Sequence, residues 1–482
     1  MNLGTIFRIL GILITLLSVT LIPPMLVAYI YKDSGGVAFI QSFFITLILG
    51  GLLWYRYRDC KRELKTRDGF LIVVLFWTVL SSFGALPFYL STSQDIQLVD
   101  AVFESFSGLT TTGATVLTGL DMMPKAILYY RQQLQWVGGM GIIVLAVAVL
   151  PMLGIGGMQL YKAETPGPVK DSKLTPRIAG TAKALWYIYL VLTIACTLAY
   201  WSAGMTFFDA LTHSYSTIAI GGFSTHDASI GYFDSASIEA ICSIFMLIAG
   251  VNFSLHYLAF NNFTINHYFR DPEFKTYLLL LGITTLACFL ILFATQSFNV
   301  EDSIRNAIFQ AISVGTTAGF TTANFNLWPH FLPVMLLLTS FVGGCAGSTG
   351  GGMKVIRVLL LFKQGFREIK KLIHPRAIFA IKLGKQPLDN NIIEAVWGFF
   401  AAYIFLFVIM LLALMADGLD QITAFSAVAA CMNNLGPGLG EVHLNYANIG
   451  DFSKWVLCFA MLLGRLEIFT LLVLFVPAFW RR

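Results

Sequence analysis

Four glycines set among hydroxyl and amide residues are the positions in this chain whose types and spacing suggest chemistry. The segments LTTTGAT (109–115), AIGGFST (219–225), TTAGFTT (316–322) and NNLGPGL (433–439) align on Gly113, Gly222, Gly319 and Gly436. An extended strand whose carbonyls point one way, with little side-chain bulk at the axis, replaces the water shell of a cation. Glycine permits the backbone angles such a strand needs. Thr110, Thr111, Thr112, Thr316, Thr317, Asn433 and Asn434 stand beside it, and their oxygens either join the coordination or brace the strand. The chemistry is ion coordination by backbone; no catalytic constellation accompanies it. A glycine in a membrane protein usually serves close helix packing, but four in register after a short apolar segment point to a cation filter.

The register extends upstream to the elements that must position these strands. Ala101, Ala210, Ala307 and Ala424 fall twelve residues before the glycine in every copy, each preceded by Asp100, Asp209, Asn306 or Thr423, residue types that suit a helix N-cap. The segments 101–111, 210–220, 307–317 and 424–434 are too short to cross a bilayer, which takes about 20 residues. Each lies between longer apolar runs, so each is expected to be a re-entrant half-helix that feeds a filter strand. The candidate spans are 7–30, 37–57, 70–92, 127–153, 183–203, 237–262, 276–296, 331–362, 391–416 and 453–480. Backbone outside a helix is tolerated at membrane depth only where protein or water satisfies it, so four such strands imply a shared, water-filled centre. The expected fold is an all-α polytopic membrane protein: four pseudo-symmetric helix–half-helix–helix units around one ion pore. The expected divisions are 1–67 for two extra helices, then 68–155, 176–263, 274–385 with an intramembrane loop, and 390–482.

Composition agrees with that class. Of 482 residues 57% are hydrophobic and 12% charged, against about 25% charged in soluble proteins. Most Lys and Arg residues fall in alternate loops: Arg56–Arg67, Lys162–Lys183, Arg270 with Lys275, and nine between Lys354 and Lys385, with Arg8, Arg481 and Arg482 at the ends. That asymmetry places these loops and both termini in the cytoplasm. The opposite loops carry Asp95, Asp100, Asp121, Asp209, Asp227, Asp234, Glu301, Asp302, Asp417, Asp420 and Asp451, which would concentrate cations at an outer mouth or simply be solvated surface. The first apolar run has no small-residue cleavage site, so the first helix is expected to be retained. Seven cysteines are scattered without metal-ligand spacing and read as small buried hydrophobes. His213 and His226, near the outer mouth, read as surface residues rather than ligands.

Two further features lie below the expected filter. FVGGCAGSTGGGMKV (341–355) holds six glycines in fifteen residues, and at about 1 kcal/mol each relative to alanine they should break the helix inside the membrane. No GK[ST] follows and no strand precedes, so a phosphate loop is disfavoured; a flexible gate is the expected role. Arg465 is about eleven residues into the last span, near the bilayer midplane, where a charge normally faces a cavity or a partner. It is expected to repel cations beneath the filter or to bond the carbonyls of the 343–352 loop, the alternative being a structural interhelix pair. Glu467 lies on another helix face and is the one firm intramembrane carboxylate this reading finds in the pore-forming helices. Gly139, Gly250 and Gly344 occupy comparable positions in the earlier units.

The four filter sequences, GGCAGSTGGGMK (343–354) and GRLE (464–467) together resemble the membrane subunits of bacterial Trk potassium uptake systems, within the Trk/Ktr/HKT superfamily. The likeness covers essentially the whole chain, including the two extra N-terminal helices of the Trk branch. It implies a potassium-selective pore in the bacterial inner membrane, usually in a homodimer of chains that each have a pore. It places potassium against the carbonyls of Thr111, Thr112, Ile220, Gly221, Thr317, Ala318, Asn434 and Leu435 and of the four glycines. It assigns the gate to Gly343, Gly344, Gly347, Gly350, Gly351, Gly352 and Arg465. It further implies a cytosolic TrkA-like ring that binds ATP/ADP or NAD(H), while this chain binds no cofactor, only potassium as substrate. The loops 162–183 and 354–385 would dock that ring or lipid headgroups; no nucleic acid is implied. Compared with the TVGYG filter of tetrameric channels, one aligned glycine per strand and Pro437 after the fourth imply weaker discrimination against sodium or rubidium. The competing reading is a secondary transporter coupling potassium to protons or sodium, which calls for acidic residues within the spans.

Overall fold

The protein was analysed as a computed structural model, which describes residues 2–60, 64–91, 95–148, 178–384 and 386–481. Lys61, Arg62, Lys162, Lys170, Lys173, Arg177 and Lys385 of the expected basic loops, and Arg482 at the end, lie outside the described residues. Among those described the chain is helical, apart from a hairpin pairing Lys382–Leu383 with Gln386–Pro387. The first span, Leu3–Tyr31, is bent where Pro23 and Pro24 restart the helix at Ile22, because proline fits a first turn but not an interior. It lies against Gly36–Tyr57 at glycine crossings: a Cβ on Gly11 would lie 2.5 Å from the Trp54 nitrogen, and one on Gly50 2.7 Å from that of Thr15.

Six described helices are long and apolar enough to cross a membrane, or eight if each of two bent pairs is one span. Three runs expected to be continuous are broken, two of them by sharp turns. Ala236–Ala249 turns by 92° into Phe253–Asn261, and Asp451–Arg465 turns by 109° into Phe469–Phe475. The break within 331–362 takes the form expected, with Leu332–Val342 and Val355–Ile373 separated by the glycine loop, although the second helix runs on to 373. In the first unit Gly141, at φ 49° and ψ −140°, interrupts Lys125–Ala148. All four units therefore break their second helix. Local chemistry permits this differently each time. Asn252 restarts the second by capping Ser254 N–H at 2.8 Å, whereas the fourth bends through Glu467 and Ile468 at φ 52° and 60° without a glycine.

The four half-helices are Leu98–Leu109, Phe207–Ala219, Val300–Gly315 and Gln421–Met432. Their N-cap positions are Gln97, Thr206, Asn299 and Asp420, not the expected Asp100, Asp209, Asn306 and Thr423. The expectation fails because three of these residues sit at the third helical position, where a polar side chain answers the cap reciprocally: Thr206 accepts from Asp209 N–H at 3.1 Å and donates to its carboxylate at 2.7 Å. Ala101, Ala210, Ala307 and Ala424 are all fully buried, so their recurrence marks tight packing.

Candidate functional site

Each half-helix ends in the same closure. Thr111, Ile220, Thr317 and Asn434 are left-handed, at φ 57°, 53°, 69° and 53°. The next N–H in each unit reaches back across the turn: Thr112 to Ser107 O, Gly221 to Ser216 O, Ala318 to Ser313 O and Leu435 to Ala430 O, at 2.7–2.9 Å. This is a Schellman-type cap. Left-handed angles cost L-residues about 1–2 kcal/mol, and three of the four are β-branched, so the surrounding packing enforces a strained turn at this one place in every unit.

The next residue is the register glycine, with φ of 82°, 79°, 78° and 97° at Gly113, Gly222, Gly319 and Gly436. A Cβ on Gly113 would lie 2.1 Å from Gly221 O, one on Gly222 2.1 Å from Ala318 O, one on Gly319 2.0 Å from Leu435 O, and one on Gly436 2.7 Å from Thr112 O. Each glycine thus abuts the carbonyl of the next unit, and the fourth closes on the first. The twelve residues expected to coordinate an ion are all brought together in this ring. Gly221 O also accepts from Gln135 Nε2 at 2.6 Å, while Gln135 Oε1 receives Phe223 N–H at 3.1 Å. The amide and hydroxyl side chains brace: Asn434 donates to Thr112 Oγ1 at 2.9 Å and to Met461 O at 3.1 Å, and Asn433 takes the Tyr403 hydroxyl at 2.6 Å.

A cavity above the ring is lined by the four glycines with Arg131, His226, Asp227, Pro437, His443 and Tyr446. The surface reading of the two histidines is corrected here. His213 is fully buried and its Nε2 meets Ser224 Oγ at 2.9 Å. His226 stacks on Tyr232 at 3.5 Å, meets Asp121 at 2.5 Å and lies 3.6 Å from Asp209. Burial alone would lower its pKa, but hydrogen bonds and charge from Asp209 and Asp121 hold it above the usual value.

A second cavity below the ring is lined by Gly139, Gly347, Ser348, Thr349, Gly350, Gly351, Gly352, Lys354, Asn434, Arg465 and Glu467. The loop expected to be flexible is tied to three units. Gly351 N–H donates to Thr317 Oγ1 at 2.6 Å, Gly352 N–H to Asn433 O at 3.0 Å, and Thr349 Oγ1 to Ile218 O at 2.9 Å. Its glycines are required by closeness: a Cβ on Gly343 would lie 2.1 Å from Gly351 O, and one on Gly351 2.0 Å from Asn433 O. Gly344 packs against Ser348 and Gly347 against Asn252.

Arg465 ends its helix rather than lying within one, because the chain turns directly after it. Its guanidinium meets the carbonyls of Gly138 and Gly139 and approaches Thr111 Oγ1 at 3.4 Å. These are carbonyls of the first unit, and the arginine lines one cavity with the 343–352 loop. Glu467 pairs with Arg357, which stacks over Phe399 at 4.3 Å.

Several residues here escaped the sequence reading. Glu467 is not alone: Glu104 is fully buried in the first half-helix, bonded to Arg131 at 2.7 Å, and Glu273 accepts Ala346 and Ile356 N–H at 2.7 and 3.1 Å. Lys354 and Arg357 were counted as surface charges of a basic loop, yet Arg357 is buried and Lys354 reaches Gly350 O. The available signal was a charge inside an apolar run, clear at Glu104 and Arg131.

A model of the TrkH family, described as cation transport proteins, matches residues 35–482. The Trk system potassium uptake protein TrkH of Vibrio parahaemolyticus is 60% identical over 100% of both chains. The TrkG protein of the same system in Escherichia coli is 43% identical over 98% of this chain and 97% of its own. The crystal structure of the potassium transporter TrkH from Vibrio parahaemolyticus matches at a TM-score of 0.91 and 57% identity, covering 100% of each chain.

Proposed function

Because the chain belongs to the TrkH family of cation transport proteins, we propose that it takes up potassium across the cytoplasmic membrane through a gated, cation-selective pore. The observation that carries this reading is the closed ring in which each of four glycines abuts the preceding carbonyl of the next strand. Carbonyls of Thr111, Thr112, Ile220, Gly221, Thr317, Ala318, Asn434 and Leu435 and of the four glycines supply the ion's ligands. The half-helices turn their negative ends toward that path. The glycine loop 343–352 and Arg465 act as the gate beneath. The pore units are 68–155, 176–263, 274–385 and 390–482, after an N-terminal pair of helices in 1–67. Two chains associate, both termini are cytoplasmic, and a TrkA-like nucleotide-binding ring governs opening; ATP/ADP or NAD(H) acts only through it.

Ion coupling finds less support. The buried carboxylates it would use are engaged: Glu104 with Arg131, Glu467 with Arg357, and Glu273 with two backbone N–H groups. The deciding experiment is the reversal potential of the purified protein in a planar bilayer. A potential that follows the potassium gradient and ignores proton and sodium gradients is expected; thermodynamically uphill potassium movement driven by either gradient would replace the pore with a coupled transporter.

A further inference from the structure

The half-helices carry a second register that the ring does not use. Nine residues before each glycine stand Glu104, His213, Gln310 and Ala427, all fully buried behind the strands. The first three reach the chain just beyond their own glycine. Glu104 accepts Thr115 Oγ1 and Val116 N–H at 3.0 Å. His213 donates from Nδ1 to Asp209 O at 2.8 Å, leaving Nε2 for the Ser224 hydroxyl at 2.9 Å. Gln310 donates to Ala323 O at 3.2 Å. In the fourth unit the neighbouring Ser426 takes the task, donating to Leu439 O and accepting Leu439 N–H. One position thus holds a carboxylate, an imidazole, an amide and a methyl group.

The first unit differs in kind. Arg131, 1% exposed, bonds Glu104, Thr115 Oγ1 at 3.1 Å and Ser224 O at 2.8 Å, and lies 4.2 Å over the Phe223 ring. Its guanidinium fork therefore ties the strand of the first unit to that of the second through charge-assisted bonds, stronger than neutral ones. We infer that the Glu104–Arg131 pair is a positioning element for selectivity: it holds the first and second filter strands as one stiff half, while the neutral bonds of Gln310 and Ser426 hold the other two strands less tightly. A filter discriminates ions of different radius only while its carbonyls resist moving inward around the smaller one. The pair touches no ion; it acts through Thr115 and Ser224.

This inference rests on the proposed potassium pore. Its test is the potassium-to-sodium permeability ratio of the full-length protein, from bi-ionic reversal potentials, for the E104Q/R131Q double variant, which removes both charges together. A folded double variant should lose about tenfold in that ratio, the factor that about 1.4 kcal/mol represents, while still conducting potassium. An unchanged ratio in folded protein overturns the inference. If the double variant does not fold, Arg131→Lys decides: it keeps the positive charge beside Glu104 but loses the guanidinium fork that reaches both Thr115 and Ser224, a smaller loss of ratio is expected, and an unchanged ratio in folded protein overturns the inference equally. A wild-type protein without potassium preference would defeat the proposed function and this inference with it, whereas a selective wild type with unaltered variants defeats this inference alone.

Discussion

Above the glycine ring the cavity is lined by His226, Asp227, His443 and Arg131, and below it by Lys354, Arg465, Glu467 and the glycine loop. The two regions are held by different means. The upper wall is fixed by a buried ion pair that reaches two strands, which is hard to rearrange because separating its partners strands a charge. In the lower wall the glycine loop, with left-handed Gly343, Gly347 and Gly352, donates neutral hydrogen bonds from Gly351 N–H, Gly352 N–H and Thr349 Oγ1 to Thr317, Asn433 and Ile218, while its charged partners Glu273 and Lys354 meet loop backbone, at Ala346 N–H and Gly350 O, and bridge no two filter strands. Each of the neutral bonds to the filter strands contributes only about 1 kcal/mol net. A fixed wall suits discrimination between ions, and a wall of weak, separable contacts suits opening and closing.

That contrast can be broken from either side. The largest effect is expected for Gly113→Ser, whose Cβ would lie 2.1 Å from Gly221 O. The strand must shift, so the potassium-to-sodium permeability ratio should fall by on the order of tenfold or more; an unchanged ratio would remove the filter assignment. Arg465→Ala comes next, since it removes a positive charge from the lower cavity. At an intermediate effective dielectric the change corresponds to on the order of tenfold in basal flux, measured in proteoliposomes without a regulatory partner, with the permeability ratio intact. Thr317→Ala deletes the acceptor of Gly351 N–H. It should raise basal flux roughly fivefold, the factor for about 1 kcal/mol, and a lowered flux would mean that this bond holds the open form.

The smallest effect is expected at the upper mouth. The His226 pKa is raised above 6.5 by Asp209 and Asp121 against the opposing effect of burial. Its imidazolium therefore contributes stability fully present below pH 6.5 and lost as pH rises through the raised folded value. Over the same window the two carboxylates become less compensated and the mouth more negative. Potassium flux at low ionic strength should rise about twofold as external pH passes upward through that value, and salt should screen the effect. His226→Gln should flatten the profile; a profile of unchanged slope would place the titrating group elsewhere.

The resemblance carried by the four glycine sequences, the 343–354 loop and the GRLE segment is matched by the family and by the solved relative. Half-helices were legible because a short apolar run between long ones has few other roles in a bilayer. Three of their caps were misplaced by three residues, since Asp100, Asp209 and Thr423 suit the third helical position as well as the N-cap, and the fourth, Asn306, by seven. The helix break of the third unit was visible as glycine density. Those of the other three units were not: Gly141 and Gly250 are single glycines in apolar runs, and Glu467 with Ile468 gives no sign of left-handed backbone. Local preference also opposes such angles at Thr111, Ile220 and Thr317, so only packing places them there.

By itself the sequence determined which residues recur and how apolar their surroundings are, because composition and register belong to the covalent chain. It therefore determined a membrane-embedded fourfold repeat with one register glycine per strand. Tertiary structure decided what each repeat meets: that Gly436 closes on Thr112 across more than 300 residues, that Arg465 meets the carbonyls of Gly138 and Gly139, and that Arg131 bridges Glu104 to Ser224. Such pairings join groups far apart in the chain, so they exist only once the folded backbone has fixed their distance and direction.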